Sequence, residues 1–392
     1  MPNVLMACTH PYWSALQVGS QHLARQFARH GWDVVYLSAP VTPLHLPRLA
    51  SPEVRARFRS AFATPSIHEN GRIQAFTPFS LIAPDGRPIL REPLVTRHWY
   101  RTMIPSIQRI LAKSGASRVD MLYIDNLSNH FLLSHIPHGT SVFRVMDMHE
   151  RFPGWKGRAK QLAEKIAGRA ELTAYSARGL KPYVDSLEPR QAMFLPNGVD
   201  ADFFSTSSSP AQKRHRLLKD IPDPVVLYTG MIDTRLDFEL ICTVATQLPH
   251  VSFVFAGPLR KRLHLPKLPE NVIFIGPVGH GALPQLMHSA QAGIIPFDVT
   301  NRLDLIQGIR PLKLLEYMAA GLPVICARWP EVESMDSPAR LYDSGQECAE
   351  FIGRAVAEGF DPEESRSFAR RQDWRVVFDL LVASLQRPQA SS

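Results

Sequence analysis

Between Arg310 and Ile325 the chain sets a proline, a lysine and a glutamate at spacings that suit a phosphate-bearing ligand. Pro311 is expected to start a helix, and the first-turn N–H groups of a helix, which lack partners within it, make a ready site for a diphosphate. Lys313 adds a point charge on that turn, and the guanidinium of Arg310 can grip an oxygen in bidentate fashion. Glu316 shares the helix face of Lys313, where a carboxylate can accept both hydroxyls of a ribose. The same spacing also describes an ordinary surface Lys–Glu pair.

A second cluster runs Arg144-Val145-Met146-Asp147-Met148-His149-Glu150. With 141–146 read as a buried strand, Asp147 stands at its carboxyl end, where α/β architectures collect ligands, and can serve as a general base. His149 and Glu150 are further candidates for that role. The competing reading has Asp147 capping the next turn or pairing with Arg144 or Arg151. The loop from Pro11 to Ser20 opens the first predicted helix; Gly19 and Ser20 suit close backbone approach and N-capping. Trp13, Ser14 and Gln17 complete this candidate substrate surface, where Trp13 either stacks on a ring or fills a core. Asp200-Ala201-Asp202 spells a metal-binding pattern but follows Asn197-Gly198 in an interdomain stretch, so no metal is expected there.

These residues need elements to hold them. Apolar runs at 4–8, 34–37, 73–76, 121–124, 141–146 and 172–175 alternate with helix-period segments, and a second series follows at 225–229, 252–256, 272–275, 292–296 and 323–326. That alternation predicts an α/β chain of two Rossmann-like domains facing across a cleft at the carboxyl ends of both sheets. The boundaries read as 1–204 for an N-terminal domain, 205–220 for a serine-rich then basic linker and 221–365 for a C-terminal domain. Residues 366–392 read as a helix returning to the first domain. No G-x-G-x-x-G follows the first strand, where Cys8-Thr9-His10-Pro11 stands instead, which disfavours a Rossmann oxidoreductase.

Composition agrees with a folded enzyme. The chain has 392 residues, 45% of them hydrophobic and 20% charged, enough for two cores. Its four cysteines are far apart and lack metal-ligand spacing, so they read as reduced core thiols. No stretch reaches the roughly 18–20 apolar residues of a membrane span, and no leader-like segment opens the sequence, which predicts a cytoplasmic body. A net charge of +8 points to phosphate-bearing partners, either nucleic acid or an anionic leaflet. Basic segments with aromatic neighbours, at Arg55 to Arg59, Arg97 to Arg101 and 151–169, suit docking on anionic lipid, or are simply solvated helix faces.

The stretch Lys313-x-x-Glu316-Tyr317-x-Ala319-x-Gly321-x-Pro323-Val324 resembles the donor-binding helix of GT-B glycosyltransferases, the family-4-like group and especially its teichuronic-acid-type members. Gln21-His22-Leu23-Ala24, Pro196-Asn197-Gly198-Val199-Asp200, Thr229-Gly230-Met231, Asp237-Phe238 and Ala256-Gly257-Pro258 extend that resemblance along nearly the whole chain. The glucuronosyltransferases of xanthan assembly are similar in their Lys-Leu-Leu helix. The resemblance implies a nucleotide sugar, UDP- or GDP-linked, held in the C-terminal domain by Gly230, Met231, Arg235, Gly257, Arg310, Pro311, Lys313, Glu316 and Tyr317, without a metal or other cofactor. It implies a lipid-linked or polysaccharide acceptor held in the N-terminal domain by Trp13, Ser14, Gln17, Gly19 and Ser20. Transfer would occur at the inner face of the membrane, with peripheral membrane contact and no nucleic acid.

Two departures stand out. The family's Glu-x7-Glu has Gly308 in place of its first carboxylate, and its Gly-Arg after the domain's first strand is Gly230-Met231, leaving Arg235 as the nearest cation. An epimerase of the same two-domain fold, or a basic nucleic-acid-binding protein, are the other readings of these features.

Overall fold

The computed structural model describes residues 1–14, 17–84, 87, 89–116, 118–148, 158–206, 214–260, 263–358 and 360–386. By contact the chain divides into Met1–Pro196 together with the chain from Phe378 onward, and Asn197–Val377. Each unit is an α/β layer structure with its own core.

The first unit carries β1 (Asn3–Cys8), β2 (Asp33–Ser38), β3 (Ser66–His68), β4 (Ile73–Phe76), β5 (Phe79–Ser80), β6 (Met103–Ile104), β7 (Val119–Ile124), β8 (His138–Val145), β9 (Leu172–Tyr175) and β10 (Ala192–Phe194). Its main sheet has the order β10-β9-β8-β7-β1-β2-β4-β3, parallel except for β3, while β5 and β6 pair separately. The second unit carries β11 (Val225–Thr229), β12 (Ser252–Ala256), β13 (Val272–Gly276), β14 (Ala292–Ile295), β15 (Val324–Ala327) and β16 (Arg340–Tyr342), ordered β13-β12-β11-β14-β15-β16 and parallel throughout. Both faces of such sheets are covered, which is why β1, β11 and β12 read as unbroken apolar runs rather than alternating ones.

Strand order reverses between β1 and β7 in the first sheet and between β11 and β14 in the second. At such a point the connections leave in opposite directions, and a crevice opens beyond the carboxyl ends of the two strands. Each candidate site below is built at or beside one of these reversals.

The chain leaves the first unit after Pro196, ahead of the serine run that suggested a boundary at 204. The reason is local. Asp200 caps the Ala201–Ser205 helix by accepting from Phe203 N at 3.2 Å, and that helix packs on helices Leu312–Ala320 and Pro362–Arg371 of the second unit. The predicted C-terminal helix is two helices, Pro362–Arg371 and Trp374–Gln386. Val199 slots between them: its N–H donates to Gln372 O and its carbonyl accepts from Trp374 N, both at 3.0 Å. The return to the first unit therefore falls at Phe378, beyond the expected 366, where the Phe378 ring meets Phe27 edge-on at 5.0 Å and stacks on His30 at 4.3 Å.

Candidate active site

In the second unit, helix Leu312–Ala320 begins one residue later than expected, with buried Pro311 as its cap rather than its first residue. No side chain caps this end; of the first-turn amides, Leu314 N–H donates to Pro311 O at 3.3 Å. The helix ends at Gly321, whose left-handed φ of 82° and close approach to Pro362 suit only glycine. Lys313 and Glu316 are half-buried on it. The Lys313 ammonium donates to Tyr228 Oη at 2.8 Å, and Tyr228 donates onward to Met231 O at 2.9 Å. Burial, then the Arg235 cation, push Lys313 down to about 7, against the pull of Glu316 and Asp233. Burial likewise lifts Glu316 to about 7, opposed by Lys313. Among the described residues Glu316 has no hydrogen-bond or ion-pair partner. A carboxylate held in a crowded place without a donor is costly unless something else supplies one.

Two glycines bring the loops after β11 and β12 against this pair. A Cβ on Gly230 would lie 2.9 Å from Lys313 Nζ, and one on Gly257 would lie 1.8 Å from Gly230 O. Arg235 is clamped by Asp233, with Nε at 2.9 Å from Oδ1 and Nη2 at 2.8 Å from Oδ2. The clamp leaves the guanidinium side chain 31% exposed.

Two expected ligand contacts are placed elsewhere. Arg310, only 7% exposed, is turned inward to Glu331 at 3.4 Å and Gln372 at 3.2 Å. Tyr317 is fully buried, and its hydroxyl accepts from Thr229 N at 2.7 Å, fixing the end of β11. The Nη1 and Nη2 atoms of Arg310 and the hydroxyl of Tyr317 are thus engaged within the protein. Tyr228, Asp233 and Phe297 were missed. Tyr228 had a signal in its place two residues before the Gly230 turn, but Phe297, 5.2 Å from the Lys313 ammonium, had none.

In the first unit Asp147 is exposed just past the carboxyl end of β8. Arg144, one of its expected partners, is buried in the sheet and donates to Pro196 O at 3.3 Å. His149, Glu150 and Arg151 lie outside the described residues. Nearby, at the strand-order reversal, stands a carboxylate that the sequence reading passed over. Asp125 follows β7, is 2% exposed, and accepts from Thr9 N at 2.7 Å, Thr9 Oγ1 at 3.0 Å and Ser20 Oγ. Burial raises its pKa while the Ser20 and Thr9 hydrogen bonds oppose the rise. Its signal was an Asp closing the apolar run 121–124.

Ser20 is therefore not an N-cap. Its side chain, 0% exposed, bonds Asp125 and Tyr123, the latter at 2.9 Å. The cap of helix Gly19–Arg29 is Val18, whose N–H donates to Gln21 Oε1 at 2.8 Å. Gly19 is buried beside it. Ser14 N donates to Pro11 O at 3.1 Å, and Gln17 ties the loop by donating to Ser14 O at 2.6 Å and accepting from Arg25. Trp13 is half-buried, with no hydrogen bond to its indole N–H among the described residues. In the Asp200–Asp202 pattern Asp200 caps a helix and exposed Asp202 lies beside Arg375 at 3.9 Å.

Two parallel-sheet units, each with polar residues at a strand-order reversal, have the GT-B fold, and comparison with solved structures agrees. Residues 223–355 match the family of glycosyl transferases group 1, and residues 6–175 match the N-terminal domain of glucuronosyltransferase GumK. TuaH of Bacillus subtilis, assigned to teichuronic acid biosynthesis as a glycosyltransferase, is 30% identical over 197 residues, 46% of this chain and 47% of TuaH. Sulfoquinovosyl transferase SQD2 of Arabidopsis thaliana is 28% identical over 46% of this chain and 37% of its own length. The matches thus span less than half the length of these curated relatives. Solved structures with the same fold include sucrose-phosphate synthase from Thermosynechococcus elongatus, at TM-score 0.67 and 15% identity over 98% of both chains. Anabaena HepE in complex with UDP aligns at TM-score 0.63 and 14% identity over 98% of this chain and 99% of that one.

Proposed function

We propose that this chain transfers a sugar from a UDP- or GDP-linked donor to a lipid-linked or polysaccharide acceptor at the cytoplasmic face of a membrane, in the manner of a glucuronosyl transfer of exopolysaccharide synthesis. One observation carries the reading: Lys313 and unpartnered Glu316 share the crowded face of a helix whose amino end is uncapped, beside the strand-order reversal of the second unit. In that reading the first-turn amides, Lys313 and Arg235 neutralise the leaving diphosphate, and Glu316 takes the ribose hydroxyls. The glycines 230 and 257 and the Met231 backbone shape the approach. Arg310 and Tyr317 act from behind, through Glu331 and Thr229.

On the acceptor side, the Trp13–Ser20 loop held by Asp125 presents the hydroxyl, and Asp147 takes its proton as the oxygen attacks the anomeric carbon. The bond from that carbon to the β-phosphate oxygen breaks, and the nucleoside diphosphate departs with the electron pair. No metal takes part. The test is a panel of nucleotide sugars ranked by thermal shift, followed by transfer assays with and without EDTA. Lys313→Ala should weaken donor binding and slow turnover together. Asp147→Asn should abolish transfer, by about 10²-fold or more, while sparing donor binding. Near-normal turnover of Asp147→Asn removes the base assignment; no stabilisation by any nucleotide sugar removes the function.

A further inference from the structure

Of the arginines from Arg55 to Arg59, one turns back onto the sheet. Arg57, midway along helix Pro52–Phe62, is half-buried, and its Nη2 donates to Ala39 O at 3.1 Å and Pro40 O at 3.4 Å, just past the carboxyl end of β2. Register sets what stands beside it. Ser38 pairs with Cys8 of β1, and Ala7 pairs with Ile124 of β7, so Ala39, the pair Thr9-His10 and Asp125 leave three adjacent strands at one edge. That edge includes the strand-order reversal, where ligands collect. His10 is half-buried there, its carbonyl accepting from Tyr36 Oη at 3.1 Å.

The fold gives Arg57 no counter-charge. Two carbonyls hold Nη2, the Nε–H is enclosed without an acceptor, and no carboxylate pairs with the guanidinium among the described residues. Glu53, one turn earlier on the helix, is exposed and makes no ion pair with it. Asp125 is enclosed and already accepts from Thr9 and Ser20. Burial lowers the His10 pKa, Asp125 opposing and Arg57 adding to the fall, so the imidazole is neutral at pH 7. Burial also lowers the Arg57 pKa, with Glu53 opposing, yet a guanidinium stays charged. A part-buried cation that the fold neither pairs nor fully solvates is costly, and an anion brought to it removes the cost.

We propose that Arg57 sets acceptor specificity: its guanidinium takes an anionic oxygen group, a carboxylate or a phosphate monoester, carried by the acceptor sugar. The inference rests on the glycosyltransferase reading above and narrows its acceptor to a negatively charged one. A planar guanidinium matches either group, whereas a neutral hydroxyl leaves its charge uncompensated. Neutral His10, at the same edge, is suited to hydrogen-bond ring hydroxyls.

The test is isothermal titration of the full chain, saturated with UDP, with methyl β-glucoside, methyl β-glucuronide and methyl β-glucoside 6-phosphate. The parent should bind an anionic glycoside about tenfold or more tighter than the neutral one, the worth of one hydrogen bond to a charged group. Which of the two binds tighter tells carboxylate from phosphate. Arg57→Gln should erase the preference while leaving methyl β-glucoside binding and stabilisation by UDP unchanged, and Arg57→Lys, which keeps the charge, should retain part of it. If Arg57 only props the Ala39–Pro40 turn, Arg57→Gln weakens neutral and anionic glycosides alike, or lowers the melting temperature with the preference intact. Either result overturns the proposal, as does a parent protein that binds all three glycosides equally or binds neither anionic one. No stabilisation of the parent by UDP would overturn the glycosyltransferase reading separately.

Discussion

Lys313 and Glu316 owe their properties to one cause acting with opposite sign. Burial disfavours charge, so the lysine is pushed down to about 7 and the glutamate up to about 7. At pH 8 the lysine is then largely neutral. A bound diphosphate would favour its charged form again, so the lysine takes a proton up on binding. Titrating UDP at pH 8 in two buffers of different ionisation enthalpy should therefore show net proton uptake, and an apparent enthalpy identical in both would refute it. Glu316→Gln should weaken UDP binding about tenfold without lowering the melting temperature at pH 8, because the substitution removes a charge that the fold leaves unpaired. Much at this scale was legible: the residue types at 311, 313 and 316, and the carboxylate at 147 past a strand. Arg310 was not, since nothing in its local sequence says whether a guanidinium meets a ligand or Glu331.

Among the elements, the loops after β11 and β12 cross in close contact. Gly230 N donates to Ala256 O at 2.9 Å, and Gly257 leaves no room for a side chain against Gly230 O. Gly257→Ala should therefore cost more stability than Gly230→Ala, lowering the melting temperature by about 2–4 °C for each kcal/mol lost. Gly230→Ala should mainly displace the Lys313 ammonium, read as weaker UDP binding, and equal melting temperatures for the two variants would contradict this ordering. Central strands such as β1 and β11 were readable because burial on both faces writes itself as an apolar run. The edge strand β3 and the pair β5–β6 were not, being two or three residues long and partly exposed. The break at Gln372-Asp373 was equally silent, since it exists to receive Val199 from far along the chain.

For the whole molecule, two cores without shared buried residues mean that a donor bound at 197–377 stabilises that unit first. Hydrogen exchange with saturating UDP should slow amides in β11, in the turn through Gly230 and at the start of helix Leu312–Ala320, and leave β1 and β7 unchanged. Protection appearing at β1 and β7 instead would place the nucleotide in the wrong unit. By itself the sequence determined the alternation of strands and helices, the two-unit plan, and the helix that carries Lys313 and Glu316, because these depend on composition and short-range period. Only the tertiary structure decided where the units divide, that Arg310, Tyr317 and Ser20 are turned inward, and that Asp125 anchors the first loop. Those outcomes rest on partners far apart in sequence, 116 residues in the case of Asp125 and Thr9, and no local pattern encodes which side chains such folding will bring together.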